Sequence, residues 1–494
     1  MPEGLIGGTL GDSEDEPEVS APATLTRRDV LKRGGIAAAG ALAAGAAVNA
    51  AAPFVWRERI NVDPNRSHWS RALPQANPPL KRSLDADVVI VGGGLTGLAT
   101  AFHLREQSPD RRVVLLEARR CGNGASARNG AMLLTMTPDR WLKTSDESAL
   151  DRRILALTRD NIEGLRALAV RFAMDIELDT SGAAHMLHGA SEAREARESA
   201  AKLRDAGMPV EFWDPARIHH EIGTGVYAGA LFDAASGQLH PGKLVALLRT
   251  AALSTGVEIY ENTPVIAIDE GPVHVLTIVT GQRVRAPALV LATNAYTSQL
   301  GYLRNAYVPL VAYVGITAPL DAELVARLGW HSRAPFDDSR TDEYWLGLTR
   351  DNRIRIGGGP QGYGYGFNNG TPPADVAPYR NAALAAELQR IFPALGKVEF
   401  ETCWDGAVDC SLNLSASVGR MGRRDNVYYA IGYSGHGVNL SSVFGRVIAD
   451  LVAGHDERWH WLPDLNRRLP YIPNEPLRWL GLRAVRAAIG AFGE

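Results

Sequence analysis

Cysteine is scarce in this chain, with three in 494 residues (Cys121, Cys403 and Cys410), none at CxxC spacing. That scarcity excludes a disulfide framework and a structural zinc site. Excess charge is lacking too: 52 Lys and Arg stand against 55 Asp and Glu, a net charge of -3, so no basic field exists to attract nucleic acid. Hydrophobic residues at 46% and charged ones at 22% exclude long disordered tracts and a polytopic membrane protein. The Ala/Gly-rich run Gly34 to Val48, even extended to Ala52, only reaches about the minimum length of a membrane span. Glycine, by contrast, is plentiful: 50 residues, gathered in a few clusters that mark loops where backbone approaches something closely. At roughly 150 residues per domain the length suggests about three structural units.

The segment Thr26-Arg27-Arg28-Asp29-Val30-Leu31-Lys32, with the apolar run after it and Val48-Asn49-Ala50 as a small-residue cleavage site, resembles a twin-arginine export signal. The resemblance implies export of an already folded protein, to a periplasmic or membrane-associated location. An uncut N-terminal anchor is the alternative. Pro53 to Ser83 holds five prolines without periodicity and reads as an extended arm.

The fold begins at Asp87-Val88-Val89-Ile90-Val91, an apolar run suited to a buried parallel strand. A glycine turn, a helix over Leu98 to Glu106 and a second strand over Arg112 to Glu117 complete a βαβ unit. Helices are expected over Leu155 to Phe172, over Ser191 to Ala206 with Ser191 as cap, and over Lys243 to Thr255 before Gly256. Arg194, Glu198 and Lys202 form a solvated face of the second of these. Strands are expected over Val257 to Tyr260, Val265 to Ile268, Ala288 to Ala292 and Val427 to Ile431, the last followed by a helix over Ser441 to Val452. Between Val308 and Ile356 β-formers and aromatics predominate, which predicts a mixed or antiparallel sheet of a second domain.

Gly92-Gly93-Gly94-Leu95-Thr96-Gly97 has GxGxxG spacing between a strand and a helix. Gly92 permits the tight turn, Gly94 lets backbone approach a pyrophosphate, and Gly97 lets helix and strand pack closely. Leu95 and Thr96 then lie at a helix N-terminus, whose free N-H groups favour phosphate. Glu117, twenty residues past Gly97, ends the second strand where a carboxylate accepts ribose hydroxyls. FAD and NAD share this fingerprint, so the other glycine clusters decide. Gly122-Asn123-Gly124-Ala125-Ser126-Ala127-Arg128-Asn129-Gly130 offers backbone donors just beyond the ribose. Gly432-Tyr433-Ser434-Gly435-His436-Gly437-Val438-Asn439-Leu440 lies between a strand and a helix.

Together these segments resemble the D-amino-acid-oxidase-type FAD-dependent oxidoreductases, which include sarcosine oxidase and glycine oxidase, and within them most nearly the gamma-glutamylputrescine oxidoreductase branch. The order of motifs is similar from about Asp85 to Gly454. The branch's GASGRNGG is here GASARNGA, so Ala127 and Ala131 replace glycines and the local backbone angles are in question. The resemblance implies FAD as cofactor, with the C-terminal glycine motif over the isoalloxazine and the next helix aimed at its N1/C2 edge. Gly435, Gly437, Val438, Asn439 and Leu440 are the implied contacts there. Aligned backbone donors at that edge stabilise the anionic reduced flavin. His436, between two glycines, is read as positioning backbone in preference to acting as a base. Ala125, Ser126, Arg128 and Asn129 belong to the second loop, Thr263-Pro264-Val265 to the strand beside adenine, and Ala292-Thr293-Asn294-Ala295 to a further turn at the cofactor. Cys410 falls near the position of a cysteine that tethers flavin in some members; a small buried residue is the alternative.

For substrate the resemblance points to the second-domain sheet, with Tyr313, Tyr344, Trp345 and the basic cluster Arg350, Arg353 and Arg355. Gly357 to Gly370 resembles a lid. The tail from Pro476 to Phe492 is amphipathic, suited to packing on the body or, alternatively, to a membrane surface. The implied fold is α/β, an FAD-binding Rossmann-like domain interleaved with a second α+β substrate domain carrying the mixed or antiparallel sheet. The divisions are 1–52 signal region, 53–84 arm, 85–180, 236–305 and 400–455 FAD domain, 181–235 and 306–399 substrate domain, and 456–494 tail. The implied reaction oxidises the C-N bond of an amine or amino acid by hydride transfer to flavin N5, the imine then hydrolysing. Oxygen or a quinone accepts the electrons. Sarcosine-oxidase-type enzymes use a lysine near the flavin for oxygen, and no lysine occurs between Lys243 and Lys397 or after it, which favours a dehydrogenase. A D-amino-acid dehydrogenase, with an arginine on the substrate carboxylate, and a non-catalytic flavin-binding redox partner are the rival readings.

Overall fold

The computed structural model describes residues 67–135, 148–363 and 376–492. The segment expected to be an export signal, the first half of the arm and residues 364–370 of the glycine-rich loop lie outside the described residues. At the centre is a six-stranded sheet in the order Ser417–Met421, Val427–Ile431, Ala288–Leu291, Val88–Val91, Val113–Leu116, Glu258–Tyr260. It is parallel except for the antiparallel pair at the Ser417–Met421 edge. The inner runs Ala288–Leu291, Val88–Val91 and Val113–Leu116 are apolar throughout because both faces are covered. Val88, Ile90, Val113 and Leu115 pack under the helices Leu95–Gln107, Pro241–Ser254 and Gly437–Ala453. Val89, Val91, Val114 and Leu116 face a four-stranded sheet through Leu276, Ile278 and Val284. Each such side chain, taken fully from water, contributes about 1.5–3 kcal/mol.

A second, eight-stranded sheet runs Phe400–Cys410, Val308–Thr317, Ile354–Gly358, Tyr344–Leu348, Phe336–Asp338, Ala183–Leu187, Gly229–Asp233, Val210–Trp213. Only the Phe336–Asp338 and Ala183–Leu187 neighbours are parallel, so the sheet is mixed. Phe400–Cys410, expected with the segment 400–455, instead pairs along its length with Val308–Thr317. Gly357 and Gly358, read as the start of a lid, end a strand of this sheet. A Cβ on Gly357 would lie 2.1 Å from the Trp345 ring, so this glycine makes room for a side chain.

Two further expectations shift. The helix after the first glycine motif begins at Leu95, three residues early, and the C-terminal one at Gly437, four residues early. Gly and Asn in those first turns lower intrinsic propensity, and tertiary packing overrides it. The helix expected to be capped by Ser191 spans Ala190–Asp205 and follows Gly189, which gives no side-chain cap.

The arm is not a passive extension. Trp69 is 2% exposed and donates from Nε1 to the Asn129 carbonyl at 3.0 Å. Ser67 Oγ donates to the Ala127 carbonyl at 2.5 Å, and Trp404 Nε1 to the Arg128 carbonyl at 2.9 Å. Three successive carbonyls of the second glycine loop are thereby held outward. Ala131, one of the two alanines that stand for glycines, has φ 59°, whereas Ala127 sits in an ordinary 3-10 turn.

The helices Leu95–Gln107 and Gly437–Ala453 pack against each other through Gly445, where a Cβ would lie 2.5 Å from Ala99 Cβ and 2.8 Å from the Thr100 nitrogen. Replacing Gly445 by Val is therefore expected to cost about 1–3 kcal/mol, measured as a lower urea midpoint at unchanged slope. An unchanged midpoint would contradict the packing described.

Candidate cofactor and substrate site

The carboxyl ends of the central parallel strands open into a cavity of about 490 Å³, the usual ligand position in open α/β sheets. Gly92, Gly94, Leu95, Thr96, Glu117, Ala125, Ser126, Arg128, Asn129, Val265, Thr293, Cys410, Gly435, His436, Gly437 and Val438 all line it. Segments more than three hundred residues apart thus share one wall.

The first glycine turn shows why its residues are small. Gly92 has φ 109°, and a Cβ there would lie 2.4 Å from the Ala292 carbonyl oxygen. Gly97 does not reach the cavity; its Cβ would stand 2.0 Å from the Gly92 oxygen, so its part is the close fit of helix to turn. Gly94 ends the turn and caps its helix without a side chain, leaving that N-terminus open to the cavity. His436 likewise precedes the Gly437–Ala453 helix without capping it by its side chain. A Cβ on Gly435, φ 92°, would meet nothing within 4 Å. Two positive dipole ends therefore face one space, and Thr96 Oγ1 and Tyr433 OH, 2.7 Å apart, join them.

Glu117 accepts from the Gly93 N-H at 2.7 Å and the Arg119 N-H at 2.9 Å. Each oxygen keeps acceptor capacity for a hydroxyl. Burial pushes its carboxyl above the ordinary range while those two N-H groups act the other way. Ser126 Oγ accepts from Leu95 N-H at 2.9 Å, tying the second loop to the first. Arg128 is 5% exposed, with Nε on the Asn123 carbonyl and Nη1 on the Asp405 carbonyl. Asn129 bonds the Ala125 and Ser126 carbonyls and the Ala131 N-H. Both side chains brace their loop. These open helix ends, the ribose-type carboxylate and the side-chain-free turns fit a dinucleotide.

Several expected contacts lie elsewhere. Asn439 is buried beneath the cavity, donating to the Leu134 and Thr158 carbonyls and accepting from Asn161; Leu440 packs on the core. Both follow the helical turn away from the wall. Tyr313 and Tyr344 do not line the cavity because strand side chains alternate: Ala312, Val314 and Trp345 face it, and the two tyrosines join the core on the other side of the sheet. Arg355 shares the Trp345 face but is 1% exposed, behind the cavity lining. It donates to the Gly130 carbonyl at 2.6 Å and to Gln238 at 2.8 Å, leaving Nη2 unbonded, and burial lowers its pKa. Arg350 pairs with Asp175 and Arg353 with Asp351 and Glu401, so none of the three arginines lines the site. His436 does, with its Nδ1 unbonded. Cys410 lines the cavity and is not disulfide-bonded.

Sequence reasoning missed Asp337, Asp342, Glu343, Asp409, Tyr433 and Arg486, all in the lining. Asp409 had a readable signal, an acid inside the apolar stretch beside Cys410. It is fully buried, accepts from Gly432 N-H at 2.6 Å and Asn294 at 3.0 Å, and so clasps two of the cavity's turns. Burial, against those bonds, pushes its carboxyl up to about 7. Because the folded value exceeds the unfolded one, the folded state binds the extra proton, and stability falls as pH rises from about 4 to about 7. Asp409→Asn is expected to flatten that part of the stability curve, read as unfolding midpoints at pH 5 and 7.5; an undiminished fall would contradict the assignment.

Comparison with known proteins agrees with this geometry. The family described as FAD dependent oxidoreductase (DAO) matches residues 87–451. The chain is 30% identical over 419 residues to gamma-glutamylputrescine oxidoreductase of Escherichia coli K12, covering 84% of this chain and 92% of the relative. Its fold is similar to the crystal structure of glycine oxidase from Geobacillus kaustophilus, with TM-score 0.65, 24% identity, and coverage of 78% of this chain and 99% of that one. L-proline dehydrogenase from P. horikoshii superposes with TM-score 0.62 at 18% identity, covering 76% of this chain and 94% of that one. The chain belongs to the DAO family of FAD-dependent oxidoreductases, and the residues lining the cavity fit that cofactor.

Proposed function

We propose that the protein oxidises the C-N bond of an amine or amino acid as a dehydrogenase. The observation that carries this reading is a cavity with two open helix N-termini on one wall and a largely apolar sheet on the other. FAD, when bound, supplies the acceptor for a hydride equivalent from the carbon bearing nitrogen. The chain's own residues do the rest. The turn Gly94 to Thr96 would hold the pyrophosphate, Glu117 the ribose, and the segment at Val265 the adenine. The turn from Gly435 to Val438 would hold the flavin end and offer its dipole to the negative charge of the reduced ring. Leu310, Ala312, Val314, Met132, Leu134 and Trp345 exclude water on the facing side.

The substrate nitrogen must lose its proton before hydride leaves the adjacent carbon. Asp337 lines the cavity and is 5% exposed, with Oδ1 bonded to His185 Nδ1 at 2.7 Å. Burial works to lower the His185 pKa, and the Asp337 carboxylate outweighs it, so the imidazole titrates above its ordinary value. Asp337 would receive the ammonium proton, and the neutral amine, on losing a hydride equivalent from its α carbon, would become an imine that water hydrolyses. Among the described residues no lysine lines the cavity, which supports a quinone or carrier over oxygen as acceptor. A bond from Cys410 to flavin belongs to the same proposal, as does export through Arg27-Arg28, since a chain folded around a dinucleotide leaves the cytoplasm loaded. The basic cluster gives a D-amino-acid specificity no support, since its arginines stand outside the lining.

Anaerobic addition of amines to the yellow protein is expected to bleach it, and a quinone to restore colour at least about tenfold faster than air. A flavin that no amine bleaches would remove the reading, and faster recovery in air would remove the dehydrogenase part. Asp337→Asn is expected to slow bleaching about a hundredfold at pH 7 and to recover at high pH, where the amine is already neutral. An equal loss at every pH would contradict the proton's destination.

A further inference from the structure

The arm precedes the family match, which starts at residue 87, and none of its described residues lines the cavity. It is nevertheless bonded to two segments that do. Ser67 and Trp69 donate to the second glycine loop, and beyond them the Leu73 and Pro74 carbonyls accept from Arg120 at 2.9 and 2.8 Å. The Asn77 N-H donates to Glu261 at 2.5 Å and the Leu80 N-H to Thr263 Oγ1 at 3.1 Å. Glu261 is buried and also accepts from the Cys121 N-H and from Arg249, while Thr263 belongs to the cavity lining. A Cβ on Gly242 would lie 2.0 Å from the Trp69 carbonyl oxygen, so a glycine makes room for the arm.

The bonds to the glycine loop decide where its N-H groups point. A planar trans peptide directs its carbonyl and the following N-H in opposite directions, and among the described residues the one cis bond is Glu475-Pro476. The Arg128 carbonyl is turned onto the Trp404 indole and the Asn129 carbonyl onto the Trp69 indole. The two rings meet edge to face, with centroids 6.0 Å apart, which fixes them as a pair. The Asn129 and Gly130 N-H groups consequently point away from the indoles. Neither has an acceptor among the described residues, and both residues line the cavity.

We propose that the arm is a positioning element for FAD. The Ser67 hydroxyl and the Trp69 indole, with Trp404, hold the loop's peptides so that the Asn129 and Gly130 N-H groups stand ready for acceptor atoms of the cofactor, and arm docking and FAD binding strengthen each other. Donors fixed in advance spare the cofactor the cost of ordering the loop. Without the Trp69 donor the Asn129 carbonyl loses its partner, and its peptide is free to turn. Such coupling is reciprocal: FAD favours the docked arm by the same factor as the docked arm favours FAD.

The test uses the full-length chain in a Cys410→Ser background, where flavin is free to dissociate. Trp69→Phe keeps an aromatic ring and removes the donor. Leu203→Val, in a core cluster of which no member lines the cavity, controls for lost stability. FAD dissociation constants come from quenching of flavin fluorescence as apoprotein is added. Trp69→Phe is expected to weaken FAD about three- to tenfold and Ser67→Ala about threefold, with Leu203→Val unchanged. Tryptic cleavage after Arg71, read as the product that starts at Ala72, follows the population of undocked arm. Saturating FAD is expected to slow it at least about threefold in the parent chain and by less in Trp69→Phe. Unchanged FAD affinity in either arm variant, an equal loss in Leu203→Val, or cleavage after Arg71 that FAD does not slow would overturn the inference.

Discussion

The site depends on one close contact, the meeting of two helices at a glycine. Gly445 on the C-terminal helix lies so near Ala99 and Thr100 that a single methyl group would not fit. These helices follow strands of one parallel sheet, both N-termini lie at the same cavity, and the Thr96 to Tyr433 bond ties the two turns together. A dinucleotide has negative charge in its pyrophosphate and gains more on its ring when reduced. Two dipole ends on one wall serve both, at fixed positions and without mobile side chains. The flanking turns serve that arrangement: Asp409 clasps Gly432 to Asn294, while Ser67, Trp69 and Trp404 hold the second loop's carbonyls outward.

Most of the nucleotide half was legible in the sequence, because backbone chemistry leaves a local trace. Gly92, Gly94 and Glu117 have meaning through spacing alone, and the apolar strands announce their two covered faces. The substrate half was less legible. Tyr313 and Tyr344 belong to strands whose existence could be read but whose facing depends on register, and a one-residue difference separates Tyr344 in the core from Trp345 in the cavity. The arginines fail for a similar reason: Arg355 lies on the correct side of the sheet, but Gly347 and Gly357 leave space for it and Trp345 to sink inward. Asp337, Asp342 and Arg486 carry no local signature at all. They come to line one cavity only when the two sheets and the tail close on one another. The arm's part was hidden likewise, since a serine and a tryptophan among prolines give no sign of the carbonyls they will meet.

The cavity is chemically divided, and the division follows the fold. Its sheet-side lining is apolar around Trp345 and acidic around Asp337 and Asp342; its nucleotide side combines glycine turns with the side chains of Glu117, Arg128 and Asn129. An amine in the cavity would meet carboxylates and apolar side chains on the sheet side, with the glycine turns opposite.

The central claim is that distant backbone segments converge on one FAD. It is tested most directly by the flavin content of the purified protein after saturation with FAD and removal of the excess. The account predicts one FAD per chain, with the absorption bands of a bound flavin. A folded protein that stays colourless under those conditions would contradict it.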